Sequence, residues 1–306
     1  MSWNRRIRVK ELRYSMSMYS FSPLTIHEGP PHMDAPGEIV LFIHIPKSAG
    51  TTVHRFFDQQ YKPGEVFTLH WQGPEHLQYY HGQPDALKRQ LRVITGHMQF
   101  GLHQHLDRPA SYVTMLRDPV DRLVSYYYYA LVDRDMYMHE TASRMTLAEF
   151  MTSDATFELD NLQVRMLCGR IRAPIGSITA DDLRQAMENL KHRFAVVGIQ
   201  DDVSGFLKAV SARFGLPRLR MEPQNVTPKR PTLEDVSKAV KATIRSRNAL
   251  DMELFDHVKT SIASKSVWQR PVRLAREWGQ ATLEFLPNVL PTFLKNKGPD
   301  GRAKVA

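Results

Sequence analysis

Apolar positions in this chain come in short runs separated by amphipathic stretches. Ile39–Ile45 is the clearest run, apolar and β-branched, broken only by His44 and too short for a typical helix. It predicts a strand buried on both faces. Behind it Val53, Phe56, Phe57 and Gln60 recur at helical spacing, so a helix is expected from about Thr51 to Tyr61. Ser111–Leu116 and Phe194–Ile199 repeat the strand pattern, and Val93–Thr95 is a shorter version that ends at Gly96-His97. After Leu116, Asp118 suits a helix N-cap, Pro119 the first helical position, and Asp121 the positive helix end, which predicts a helix through Leu131. Further helices are expected at Leu147–Met151, Leu159–Leu167, Ala180–His192, Val203–Phe214, Leu233–Arg245 and Arg247–Ser261, with a helical turn at Leu87–Leu91. Residues 62–84 carry Gly64, Gly73, Pro74, Gly82 and Pro84 and read as a long, partly irregular connection. Strands separated by helices imply parallel βαβ units with right-handed crossovers.

Composition adds bounds. With 306 residues the chain has ample length for a large α/β core. It divides into a basic N-terminal arm at 1–37, a domain at 38–262, and a C-terminal helix and tail at 263–306. The first 25 residues lack a continuous apolar core and a small-residue cleavage site, so no secretory signal is expected. No stretch approaches the roughly 18 apolar residues of a membrane span. A cytoplasmic protein is therefore expected, with peripheral membrane association of the tail as the alternative. A net charge of +9 predicts attraction to anions without choosing among them. The single cysteine, Cys168, excludes an intramolecular disulfide and, in an apolar stretch without a neighbouring His, reads as a core thiol.

The chemistry starts at Pro46. Lys47, Ser48, Ala49, Gly50, Thr51 and Thr52 form a loop of small and hydroxyl-bearing residues with one cation, directly ahead of a helix N-terminus. Such a loop is suited to phosphate, because unpaired helix N–H groups and the positive end of the macrodipole face the anion. In an open parallel sheet ligands bind outside the carboxyl ends of the strands, so the loops Pro46–Thr52, Gly96–Gln99 and Arg117–Ser125 should converge. Arg117 offers a planar fork for a second phosphate, or a structural partner for Asp118 or Asp121. Arg122 reads as an ion pair with Asp118, one turn away, and Tyr126–Tyr129 as helix packing.

These residues resemble a known family. Pro46-Lys-Ser-Ala-Gly-Thr-Thr52 resembles the 5′-phosphosulfate loop of sulfotransferases that use PAPS, 3′-phosphoadenosine 5′-phosphosulfate. Leu116-Arg-Asp-Pro-Val-Asp-Arg-Leu-Val-Ser-Tyr126 resembles their 3′-phosphate motif, and Gly96-His97, the Tyr-rich helix and Phe194–Gln200 resemble the carbohydrate 2-O-sulfotransferase branch. Weaker echoes lie at Asn161–Gly169 and Asn225–Lys229. The resemblance implies an α/β, P-loop-like three-layer fold with a central parallel sheet flanked by helices. It also implies PAPS as co-substrate without a metal, and a hydroxyl-bearing acceptor, carbohydrate above others. By the same resemblance Lys47 sits at the bridging oxygen, Ser48, Ala49, Gly50, Thr51 and Thr52 hold the 5′-phosphate, and Arg117 and Ser125 hold the 3′-phosphate. Lys229 and Arg230 close over the nucleotide, and His97 is the general base, a task that suits neutral imidazole. Related 2-O enzymes carry a second His where this chain has Thr95. The alternatives are a P-loop-type nucleotide kinase, which the absence of Gly-x-x-x-x-Gly-Lys-[Ser/Thr] disfavours, and a non-catalytic module for anionic glycans. No nucleic-acid motif is present.

Overall fold

A computed structural model describes residues 37–69, 74–219 and 231–263. The expected basic arm up to residue 36 and the expected tail from residue 264 lie outside the described residues. Five strands form one parallel sheet among them, β1 (Ile39–Ile43), β2 (Val66–Leu69), β3 (Val93–Gly96), β4 (Ala110–Leu116) and β5 (Phe194–Ile199), in the order β2-β3-β1-β4-β5. Every residue of β1 is buried, as its unbroken apolar run requires of a central strand. Period-two alternation splits its side chains between two layers. Ile39, Leu41 and Ile43 join a core with α7 (Leu162–Cys168), α8 (Ala180–Arg193) and α11 (Ala249–Ala263). Val40 and Phe42 join the opposite core with α1 (Gly50–Gln60) and α9 (Val203–Phe214). The protein is thus an α/β three-layer fold, a central parallel sheet flanked by helices.

A third core lies beside the sheet, where α4 (Pro119–Val132) packs with α5 (His139–Ser143), α6 (Leu147–Thr152) and α10 (Lys238–Arg247). The helix signals around α4 act as read: the Asp118 carboxylate accepts from the Asp121 N–H at 2.9 Å, with Pro119 just inside the helix. Tyr126 and Tyr127 are buried in this core, whereas Tyr128 and Tyr129 are only half-buried.

Several elements differ from expectation. β1 stops at Ile43 rather than Ile45, although the His44 N–H still donates to the Gly96 carbonyl at 2.9 Å. The partly irregular connection 62–84 holds two elements not placed from the sequence, β2 and α2 (Pro74–His81), ahead of α3 (Asp85–Gln90). α7 begins at Leu162, not Leu159, because Asn161 takes a left-handed conformation (φ +47°) that breaks helical hydrogen bonding. α10 begins at Lys238, not Leu233, where the Ser237 hydroxyl caps the Val240 N–H at 3.2 Å.

Register sets the working end of the sheet. Ile43, the last residue of β1, pairs with Gly96 of β3 on one side and Thr114 of β4 on the other. The three carboxyl ends therefore open side by side.

Candidate functional site

The loop after β1 is strained and tightly held. Lys47 and Ala49 both take left-handed backbone conformations (φ +67° and +59°), a state that costs a non-glycine residue about 1–3 kcal/mol and persists only when surroundings impose it. The Ser48 N–H donates to the Ile45 carbonyl at 3.2 Å, and the Thr52 N–H to the Ala49 carbonyl at 3.1 Å. Two members of the expected N–H cradle are thus spent on the loop itself. The N–H groups of Ala49 and Gly50 have no acceptor among the described residues. α1 has no capping side chain and no acidic residue in its first turn. The Ser48 hydroxyl is buried without a hydrogen-bond partner among the described residues. An uncapped helix start beside an orphaned buried hydroxyl suits a bound phosphate oxygen, which would satisfy all of these donors together.

Gly50 has a second reason to be glycine. A Cβ there would lie 1.8 Å from the His44 ring. That ring stacks on Phe42 (centroids 5.7 Å) and sits 4.3 Å from the His97 ring. His44 therefore plugs the space beneath the loop. Burial, then the charges of His97, His54 and Lys47, hold its imidazole well below the usual range, so it is neutral.

Arg117 leaves β4 and reaches both ways. Its Nη1 donates to the Lys47 carbonyl at 2.6 Å, while Nε and Nη2 engage the Asp121 carboxylate at 2.7 and 2.6 Å. Burial draws the guanidinium down to about 10, against the opposing pull of Asp201 and Asp118, so it stays charged at neutral pH. The Arg117 backbone is pinned by Gln163, whose amide accepts from its N–H at 3.1 Å and donates to its carbonyl at 2.9 Å. Of the two structural partners weighed from sequence, Asp121 is the one in contact. Asp121, Ser125 and Tyr129 follow at four-residue steps along one stripe of α4. The Lys47 ammonium lies 3.5 Å over the Tyr129 ring. Arg122 does not pair with Asp118 as expected; it is fully buried, and its Nη2 donates to the Glu158 carbonyl at 2.9 Å.

His97 follows Gly96, a residue with φ +141° where a Cβ would meet the Leu69 carbonyl oxygen at 1.9 Å. Only glycine fits that turn off the strand. His97 Nδ1 lies 2.8 Å from the His44 carbonyl oxygen. A carbonyl can only accept, so Nδ1 carries the hydrogen, and in neutral imidazole Nε2 carries the lone pair. At the Thr95 position the hydroxyl is fully buried and meets His54 Nε2 at 3.1 Å. His103 is tied to the Tyr112 hydroxyl and lowered to about 4 by burial and the charges of Arg193 and His105. Cys168 is pushed up to about 11, chiefly by burial.

The structure therefore brings Arg117 into direct contact with Lys47 of the loop that runs to Thr52, sets Ser125 on the adjoining helix stripe, and links His97 to His44, just after the strand that carries the loop. Lys229 and Arg230 lie outside the described residues. Sequence reasoning missed His44, His54, Gln163 and the contact at Tyr129. His44 had one visible signal, a titratable residue interrupting an otherwise apolar strand.

A model of the sulfotransferase family matches residues 32–257. The chain belongs to the sulfotransferase family. Relatives include heparan sulfate 2-O-sulfotransferase 1 from mouse and from chicken, each 31% identical over 116 residues, which is 35% of this chain and 32% of the relative. The human protein of that name matches equally. This chain spans about a third of the length of these curated relatives. Among solved structures, the mouse sulfotransferase SULT7A1 complexed with PAP is similar at 12% identity, over 72% of this chain and 66% of that one, with a TM-score of 0.34. Among the described residues no helix is long and apolar enough to cross a membrane, and no group of three or more His, Cys, Asp or Glu is placed to hold a metal ion.

Proposed function

We propose that this sulfotransferase moves a sulfuryl group from PAPS to a hydroxyl of a carbohydrate. The observation that carries the reading is the 2.6 Å contact between Arg117 and the Lys47 carbonyl, which joins two anion-suited elements edge to edge. One is the loop 46–52 with its uncapped helix start and orphaned Ser48 hydroxyl. The other is the start of α4, with Arg117 and the adjoining Ser125. A nucleotide with phosphates at both ends of its ribose needs two such elements, and PAPS supplies an activated sulfuryl group at one of them.

In this reading Ala49 and Gly50 donate backbone N–H groups to the 5′-phosphate, joined by the hydroxyls of Ser48, Thr51 and Thr52. Arg117 and Ser125 hold the 3′-phosphate. Lys229 and Arg230, outside the described residues, are the further nucleotide ligands that the family resemblance implies. His97 takes the acceptor's hydroxyl proton on Nε2 while the acceptor oxygen bonds to sulfur. Lys47 meets the electron pair that collects on the 5′-phosphate oxygen as its bond to sulfur breaks, leaving 3′,5′-ADP and a sulfate ester. Charge placed in advance where charge develops is commonly the largest catalytic contribution. The carbohydrate acceptor is supported by the name of the relatives, heparan sulfate 2-O-sulfotransferase 1, and an anionic glycan is among the anions that a net charge of +9 attracts.

The test is transfer from PAPS to a panel of glycans, followed by mass. Wild type is expected to yield 3′,5′-ADP and sulfated product in equal amounts. Lys47→Ala should lower turnover by about 10²–10³-fold, as removal of an oxyanion donor does, and His97→Ala by about 10²–10⁴-fold. Undiminished turnover in Lys47→Ala would remove that residue from the reaction.

A further inference from the structure

Tyr129 belongs to a run of four tyrosines that the sequence explains as helix packing, and packing does account for Tyr126 and Tyr127. It does not account for Tyr129, which is half-buried and carries the Lys47 ammonium 3.5 Å above its ring centroid. The same lysine is held at its other end, since its carbonyl accepts from Arg117 at 2.6 Å, and Arg117 is in turn locked to Asp121. Asp121 and Tyr129 stand eight residues apart on one stripe of α4, a separation of about 12 Å along the helix axis. Arg117 bridges the Lys47 backbone to Asp121 at one end of that stripe, and the Lys47 ammonium meets Tyr129 at the other. The Lys47 backbone takes a left-handed conformation (φ +67°).

From this double attachment we infer that Tyr129 is a positioning residue for Lys47, holding its ammonium against the ring face ready for the leaving phosphate; the inference rests on the function proposed above. A lysine on four rotatable bonds otherwise loses that freedom during each turnover. An aromatic face attracts an ammonium through its quadrupole without neutralising it, so the full charge stays available to the transition state. A carboxylate in the same place would hold the lysine more firmly and cancel the charge it must deliver. The role acts through Lys47, so it belongs in turnover and not in nucleotide affinity. It also separates Tyr129 from its neighbours, whose loss would act on folding.

The experiment compares wild type, Tyr129→Phe and Tyr129→Leu in three readouts: kcat at saturating PAPS, affinity for 3′,5′-ADP by calorimetry, and the Lys47 ε-proton shift by ¹H–¹³C NMR. Tyr129→Leu should lose about 2- to 30-fold in kcat, the range that one cation–π contact supplies, with 3′,5′-ADP affinity unchanged. Tyr129→Phe, which keeps the ring, should stay close to wild type. The Lys47 ε-protons should be shifted upfield by the ring in wild type and Tyr129→Phe, and return to ordinary positions in Tyr129→Leu. A wild type that transfers sulfuryl while Tyr129→Leu matches it, or while Tyr129→Phe falls as far as Tyr129→Leu, overturns this inference alone. Ordinary Lys47 shifts in wild type overturn it even if Tyr129→Leu fails to fold. A wild type that neither binds 3′,5′-ADP nor transfers overturns the proposed function and this inference together.

Discussion

His44 acts through two of its atoms groups at once, and both bear on His97. Its carbonyl oxygen fixes the hydrogen on His97 Nδ1 at 2.8 Å, and its ring, wedged between Phe42 and His97, limits how far the His97 imidazole turns. Gly50 leaves the room for that wedge. Replacing Gly50 by Ala would drive a Cβ into the His44 ring, where the separation is 1.8 Å. The ring is packed on both faces and has no easy retreat. Gly50→Ala is therefore expected to cost about 1–3 kcal/mol of stability, the usual range for overpacking, measured by urea unfolding, and to lower turnover by displacing His97. Adding His44→Ala should restore part of the stability but not the turnover, because the wedge is then gone. Additive losses in the double variant would argue that the two residues do not meet. In the sequence His44 is visible only as a break in an apolar run. Its task depends on His97, 53 positions away, and no local pattern encodes that meeting. Lys47, Gly50 and Arg117 are legible because each belongs to a compact motif whose spacing is itself the signal.

Helices α7 and α11 cap each other. The Asp251 carboxylate, near the start of α11, accepts from the N–H groups of Gln163 and Val164 at 3.1 and 2.8 Å, which covers the start of α7. The Asn161 side-chain oxygen returns the favour to the N–H groups of Leu250 and Asp251, each at 3.1 Å. Gln163, set at the head of α7 by this exchange, then grips the Arg117 backbone through both its N–H and its carbonyl. The exchange gives the stretch Asn161–Gly169 a physical task, to brace the turn that presents Arg117. Gln163→Leu, which keeps the bulk and removes both hydrogen bonds, is expected to weaken 3′,5′-ADP binding by about 1–3 kcal/mol through the two unsatisfied backbone groups it leaves; calorimetry reads the change, and unaltered affinity would detach Gln163 from the site. Elements are legible in the sequence where their signals are redundant. β4 and α4 had an apolar run, an N-cap, a first-turn proline and a first-turn acid in succession. β2 had none of these: Val66–Leu69 is four residues long, alternates half-buried with buried positions, and lies in a stretch rich in Gly and Pro. The start of α7 is hidden for a related reason, since a left-handed Asn161 is held by Asn248 and α11 and leaves no mark on local periodicity.

For the whole molecule, the strand order β2-β3-β1-β4-β5 matters most. It sets β1 between β3 and β4, so the loops behind all three open at one edge of the sheet, although they start some 50 and 70 residues apart. Parallel pairing guarantees that their carboxyl ends point the same way. Under the proposed function that arrangement makes one two-phosphate site of two separate sequence motifs, both of which lie within the residues 32–257 matched by the sulfotransferase family model. In the proposed function both motifs grip one nucleotide, with the Lys47 loop on one phosphate and the Arg117 turn on the other. Isothermal titration of the wild type with 3′,5′-ADP and with 5′-AMP tests this without any knowledge of the acceptor. The expected result is that 3′,5′-ADP binds, that 5′-AMP binds at least tenfold more weakly (about 1.4 kcal/mol, close to the contribution of one charged hydrogen bond), and that Arg117→Ala erases the difference. Equal affinity for the two nucleotides, or no binding of 3′,5′-ADP at all, would contradict it.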